Sequence, residues 1–142
     1  MKQAVKKQNK ITSRFIDNKD GTITDSKTGF IWVKNPHTDL PEKFKSEMKY
    51  QQAIDACKEL NFAGHKDWRL PTIEELRELV DYIRRQPAID TSIFPDTICN
   101  WYWTSTTYAV YTDLAWGVDF DSGYVSNGYK TYTYYVRPVR GG

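Results

Sequence analysis

Eight of the chain's ten tyrosines fall between Tyr102 and Tyr135. Around them Asn, Asp, Ser, Gly and Thr alternate with a regular apolar set: Trp116, Val118, Phe120, Val125, Val136 and Val139. From Asp96 to Gly142 there is no Glu, Gln or Met. Alternation of this kind specifies short strands with one face turned to a core. On the stretch 116–120, Trp116, Val118 and Phe120 are expected on one face, and Gly117, Asp119 and Asp121 on the other. An ordinary core does not need so many tyrosines among polar residues, whereas a contact surface does. Tyr offers a large amphipathic area at low entropic cost, and Ser, Gly and Asn adapt their hydrogen bonds to a partner. The segment points to recognition more than to chemistry.

The rest of the chain fits one small domain. Its 142 residues suffice for a single core, and 39% hydrophobic with 15% aromatic content argues for a folded chain. The net charge of +2 misleads, because Lys2, Lys6, Lys7 and Lys10 all precede the first acid, Asp17. Without those four, 16 basic side chains face 18 acidic ones, a net of −2. The basic character therefore belongs to a leader over residues 1–13, and the body over 14–142 lacks the basic face that nucleic acid requires. No apolar stretch is long enough to cross a bilayer, and no apolar run follows the leading lysines as in a secretory signal. Cys57 and Cys99 read as two small hydrophobes or one disulfide. They make neither a zinc site nor a redox pair.

Punctuation along the chain sets the element order. Phe15-Ile16-Asp17 and Thr22-Ile23-Thr24 flank Asp20-Gly21 and predict a hairpin. A second turn over Asp25 to Gly29 leads into a strand at Phe30–Val33. Residues 35–45 read as a loop. A helix is expected over Ser46–Leu60, with Met48, Ala53, Ile54, Cys57 and Leu60 near one face. A second starts at the Thr72/Glu75 capping box. Its stripe of Ile73, Leu76, Leu79, Val80 and Ile83 extends it to Arg84 and Arg85. After a loop over 89–100, three or four strands follow, divided by Ser122-Gly123 and Asn127-Gly128. Strands, two helices and strands again make the class α+β.

Several phrases together resemble one family: Arg14-Phe15-Ile16-Asp17 with Asp20-Gly21-Thr22, Thr28-Gly29 with Ile31-Trp32, Asp67-Trp68-Arg69-Leu70-Pro71-Thr72 with Glu75-Leu76, Tyr102-Trp103-Thr104-Ser105-Thr106-Thr107, and Tyr135-Val136-Arg137-Pro138-Val139-Arg140-Gly141. The resemblance is to the C-terminal domain of a bacterial collagen-like adhesin, which recurs in bacterial and phage surface proteins. It implies a C-type lectin-like fold over 14–142: two helices, small irregular antiparallel sheets, and the N- and C-terminal strands paired.

A subset of such domains are variable proteins of diversity-generating retroelements, where template adenines are miscopied. The codons produced never specify Trp, Gln, Glu, Lys or Met. After Thr104 only Trp116 and Lys130 belong to those five, both where the family frame places fixed residues. The resemblance thus implies a variable region over about 102–136. Its ligand-binding candidates are Tyr108, Val110, Tyr111, Asp113, Leu114, Gly117, Asp119, Asp121, Ser122, Tyr124, Ser126, Asn127, Gly128, Tyr129, Tyr132, Thr133 and Tyr134. Trp68, Arg69, Trp103, Trp116 and Arg137 are expected to be structural. Candidates for the buried Trp N–H partners lie in the Asp67-Trp68-Arg69 and Thr104-Ser105 phrases.

The expected role is ligand binding by a protein displayed on a virion or cell surface. The partner would be a protein or carbohydrate on a cell surface, with no cofactor, no metal, no nucleic acid and no membrane insertion, and the oligomeric state is open, a monomer included. A non-variable adhesin or fibre-tip domain of the same fold is the alternative. A formylglycine-generating type of enzyme is a further one, but neither cysteine sits in an activating pattern and the two histidines, His37 and His65, match no catalytic motif. A calcium-dependent lectin would need a Glu-Pro-Asn type phrase, which the chain lacks.

Overall fold

The Asp20-Gly21 turn reverses the chain immediately, with positive φ at Lys19 (62°) and Gly21 (91°). It joins β1 (Phe15–Asp17) to β2 (Thr22–Asp25), and a second turn leads to β3 (Phe30–Val33). The structure, a computed structural model, describes residues 13–141, so the expected leader lies outside it except for Ser13. The elements that follow are α1 (Pro36–Asp39), a 3-10 turn (Glu42–Lys45), β4 (Met48–Lys49), α2 (Tyr50–Glu59), α3 (Ile73–Arg77), β5 (Trp101–Thr107), β6 (Leu114–Asp119), β7 (Tyr124–Tyr129), β8 (Thr133–Tyr134) and β9 (Val139–Gly141). The α+β class holds.

Three small antiparallel sheets form, in the orders β1-β2-β3-β9, β4-β8 and β5-β6-β7. The C-terminal strand joins the N-terminal sheet as expected, but against β3, with Trp32 opposite Val139. The other side of β9 is held by Arg69, whose backbone exchanges two 2.9 Å hydrogen bonds with Val139. The Arg69 side chain also makes a two-pronged pair with Glu75 (2.6 and 2.8 Å), and Glu75 accepts the Thr72 N–H to complete the capping box. The Arg69-to-Glu75 phrase is therefore a clamp between β9 and α3.

Three expectations about helical segments need correction. Residues 35–45 are not plain loop, because Pro36 starts α1 and Pro41 precedes the 3-10 turn. The second long helix stops at Arg77. Beyond it Glu78, Leu79 and Val80 donate to carbonyls three residues back, and then the Asp81 N–H turns to Ala88 O. The loop is pinned to the end of β6 by Gln86 N–H to Asp121 O and Ala88 N–H to Phe120 O. Leu76 and Leu79 stay buried, but Ile83 is 94% exposed and belongs to no core stripe. At the other helix, Ser46–Lys49 is not helical; Met48 enters β4 and the helix begins at Tyr50.

The core is in two clusters, and β5-β6 separates them. Tyr102 and Val118 pack with Ile23, Trp32, Leu76, Phe94 and Phe120 on one side. Trp103 and Ala115 pack with Phe44, Met48, Cys57, Trp68 and Val136 on the other. Alternation along the strands sends neighbouring residues to opposite cores. The Trp68 indole N–H donates to Phe62 O and the Trp103 indole to Met48 O, 2.7 Å away, so neither partner lies in the phrases expected to supply it.

A buried polar network ties these pieces together. Arg137, with no exposed surface, donates to Val33 O (2.8 Å), Lys34 O (3.0 Å) and Thr97 Oγ1 (2.8 Å) and lies over the Phe94 ring. His37 Nδ1 lies 2.7 Å from Phe44 O, which can only accept, so Nδ1 carries the proton. Nε2 then accepts from the Tyr102 hydroxyl at 2.7 Å, and that oxygen accepts from Ile98 N–H. Burial lowers the His37 pKa and pushes the Tyr102 phenol up to about 12. Because folded His37 resists protonation, the unfolded chain binds the proton more readily. Stability should fall as pH drops below the ordinary imidazole value of about 6.5, well before the carboxylates titrate. Urea unfolding midpoints between neutrality and mild acid check this, and His37→Gln should flatten that part of the slope.

Candidate functional site

The sheet β5-β6-β7 carries most of the candidate residues, and its register decides where each one points. Directly paired residues share a face. Leu114 pairs with Tyr129, Trp116 with Asn127 and Val118 with Val125 on one face. Asp119 pairs with Tyr124, Gly117 with Ser126 and Ala115 with Gly128 on the other. The candidates therefore lie on both faces of the sheet.

On the first face Tyr108, Tyr111, Asp113, Leu114, Asn127 and Tyr129 line an open groove of 370 Å³. Tyr108 is half-buried and meets Trp116 edge-on at 5.4 Å, and Tyr111 lies 6.4 Å from it. Val110 and Tyr111 stand exposed in the β5–β6 loop. On the second face Tyr124 is 70% exposed and Ser126 is open beside it. Around the free edge of β7, Tyr132 joins the two sides: its ring is 5.5 Å from Tyr129 and 6.4 Å from Tyr134. Asp121 and Ser122 form the β6–β7 turn, half-buried. Thr133 sits apart, paired with Lys49 in the small sheet and donating its hydroxyl to Glu47.

Three candidates pack on one another. Gly117 and Gly128 are buried beneath Tyr134, whose ring lies 4.2 Å from Trp103 and 5.8 Å from Trp101. A Cβ at Gly128 would collide with the Tyr134 hydroxyl, and one at Gly117 would stand 3.1 Å from both its ring and Tyr102 O. Burial raises the Tyr134 pKa, as do the neighbouring Tyr132 and Asp119. The two glycines and Tyr134 are one packing unit. The Asn127-Gly128 pair also fails as a turn: both residues are within β7, and only the close approach of Tyr134 explains the glycine. Trp116 and Val125, expected in the frame, are half-buried, Val125 packing against the Tyr102–Val118 core and Trp116 against Tyr108.

Other chemistry is sparse. Cys57 is buried, its thiol pushed up to about 12 by burial, and Cys99 is exposed and also raised, by partial burial and then by Asp121 and Asp119. The two are not bonded. Neither is a thiolate at neutral pH, the form a nucleophile needs. Among the described residues no three His, Cys, Asp or Glu side chains gather as a metal site would require, and no helix is long and apolar enough to cross a membrane. Sequence reasoning missed the His37–Tyr102 contact because its partners lie 65 positions apart.

The Lcl C-terminal domain family matches residues 21–140, a range that takes in the tyrosine-bearing hairpin, the Arg69 clamp and most of β9. The chain belongs to that family, the one its phrases resemble. No curated protein matches it.

The packing unit and the open tyrosines differ in what they should tolerate. Gly128→Ala is expected to cost about 1–3 kcal/mol through overpacking. Tyr111→Ser, at an exposed site, should stay within about 0.5 kcal/mol of the parent. Chemical unfolding of the two variants side by side makes the comparison.

Proposed function

We propose that this chain is a ligand-binding variable protein of a diversity-generating retroelement, presenting its late tyrosines on a lectin-like scaffold. One observation carries it. Val110, Tyr111, Tyr124, Tyr129 and Tyr132 are 48–70% exposed, all on one hairpin region or its flanking turn. A monomeric chain has little reason to leave large aromatic side chains so concentrated in water unless a partner covers them. Membership of the Lcl C-terminal domain family supports the same reading, as does the lack of residues outside the retroelement's reach at those positions. The partner is a protein or carbohydrate on a cell surface, and the protein acts from a virion or cell surface. It is a binder and not an enzyme, and no cofactor takes part.

The diversification half of the proposal is tested in the genome. A reverse transcriptase gene and a near-copy of the 3′ end, differing chiefly at adenines, should lie beside this gene. A locus with neither leaves an adhesin or fibre-tip domain of fixed sequence. The binding half is tested with the protein itself, scored by its retention on intact bacterial cells. Replacing Tyr111, Tyr124, Tyr129 and Tyr132 together by Ser should barely move thermal unfolding and should weaken that retention about tenfold or more. Tyr108 and Tyr134 are left out because both rings pack on tryptophans. Unfolding of the quadruple variant at a much lower temperature would place those rings in the core and end the proposal.

A further inference from the structure

Three strands bring an indole, a carboxylate and a phenol into one row. Trp101 on β5 is opposite Asp119 on β6, and Asp119 is opposite Tyr124 on β7. Direct cross-strand partners have Cβ atoms about 5 Å apart on the same face. The Trp101 ring lies nearly parallel to Tyr134, tilted by 23° at 5.8 Å, so the two make a ledge beside the carboxylate. Asp119 Oδ1 accepts the Asp121 N–H at 2.9 Å, while Oδ2 takes no protein donor among the described residues. The row is half-buried at Trp101 and Asp119 and open at Tyr124.

The surrounding charge is one-sided. Asp17, Asp25, Asp67 and Asp81 are each held by a cationic side chain. Among the described residues no such partner meets Asp113, Asp119 or Asp121. From Tyr108 to Tyr135 the only cation is Lys130, and it is already engaged: its Nζ bonds the Thr107 hydroxyl at 3.1 Å and lies 4.7 Å from the centre of the Tyr50 ring. Within residues 108–135, then, carboxylates without an ion-pair partner stand among aromatic rings, and the single lysine is taken up.

We propose that the Trp101–Asp119–Tyr124 row is a subsite for an arginine side chain of a protein partner. The proposal rests on the reading of this sheet as a partner surface and names the chemistry of what it takes. A planar guanidinium stacks on an aromatic face while its fork of N–H groups reaches a carboxylate, which a compact ammonium does less well. Asp119 supplies the acceptor, Trp101 the stacking face and Tyr124 the outer wall. Trp101 joins the candidate site although sequence placed it in none.

The probe is the peptide Ac-Gly-Arg-Gly-amide, with its citrulline counterpart as the uncharged isostere, titrated to millimolar concentration into the whole chain. The indole N–H signal of Trp101 and the backbone signals of Asp119 and Tyr124 report on binding. The arginine peptide should shift them saturably. Citrulline, and the Asp119→Asn variant, should each weaken binding about tenfold, the loss of one charge-assisted contact. Raising salt from about 50 to about 500 mM should weaken it further. Asp119→Asn keeps an acceptor for Asp121 N–H, so its unfolding midpoint should match the parent. Lys58→Ala, at an exposed position of α2 outside the candidate surface, should bind the peptide as the parent does. No shift at these signals, an equal response to citrulline, or unchanged binding by Asp119→Asn would overturn the proposal. So would methyl glycosides shifting Trp101 where the arginine peptide does not. If Asp119→Asn retains cell binding that the four-tyrosine variant loses, the arginine subsite fails and the wider reading stands. If the peptide saturates the row while the four-tyrosine variant still binds cells, the wider reading fails instead.

Discussion

The buried guanidinium of Arg137 is where the fold is tied. A cation with no exposed surface costs several kcal/mol to desolvate. Here the cost is offset by two carbonyls at the end of β3, by the Thr97 hydroxyl, by the face of Phe94 and by Asp96 at 3.9 Å. Those partners come from two stretches distant in sequence from Arg137 and from each other, 33–34 and 94–97. The N-terminal sheet, the loop before β5 and the approach to β9 are therefore fixed relative to one another by one side chain. Asp96 extends the tie to α1, accepting the His37 N–H at 2.8 Å. Removing the guanidinium would leave two carbonyls and a carboxylate without it, which is costlier than the bond count suggests. With both ends anchored in this way, the β5-to-β8 segment is an excursion between fixed points.

That excursion is not a plate with a hidden side and a free side. The middle of its first two strands is buried on both faces, Tyr102 and Val118 in one core and Trp103 and Ala115 in the other, while Trp101 and Asp119 at one end stay half-buried. The accessible part is the edge strand β7, the β5–β6 loop, the turn after β7 and, partly, the Trp101–Asp119 end of the first two strands. Tyr132 wraps the edge and makes the aromatic surface continuous from Tyr129 to Trp101 by way of Tyr134. Exposed edge strands invite unwanted pairing. Here β7 carries exposed Tyr124 and Tyr129, bulky side chains flanking the free backbone groups.

What the sequence made legible was local. Asp20-Gly21, the strand at Phe30–Val33, the Thr72/Glu75 cap and the alternation over 116–120 each follow from a few adjacent residues, and each is present. Misreadings came where a distant contact overrode a local pattern. Ile83 continues a helical stripe on paper, but Asp81 N–H is taken by Ala88 O and the loop by β6. Asn127-Gly128 has turn chemistry, yet pairing with Trp116 and Ala115 keeps it in β7 and Tyr134 accounts for the glycine. Of the candidate surface, Val110, Tyr111, Asp113, Tyr124, Ser126, Tyr129, Tyr132 and Thr133 are exposed, but on both faces and in the flanking turns, not on the single face that alternation specifies. Tyr134 could not be sorted from its neighbours, because nothing within 132–135 distinguishes a ring over glycines from a ring in water.

The same packing unit sets a physical limit on how freely such a surface changes. Strand pairing of β6 with β7 uses backbone groups, which any side chain leaves in place. Exchange at Tyr124, Ser126 or Tyr129 therefore alters the exposed surface without altering the ladder. Gly117 and Gly128 are different: each lets Tyr134 lie against the sheet, and Tyr134 in turn packs on Trp103, whose indole bonds Met48 O. A side chain at either glycine would lift that ring and loosen the β4–β8 pair, where Met48 is opposite Tyr134. On the proposed reading, the tolerance of this surface is bounded by three residues that sit among its most variable-looking neighbours and behave as part of the core.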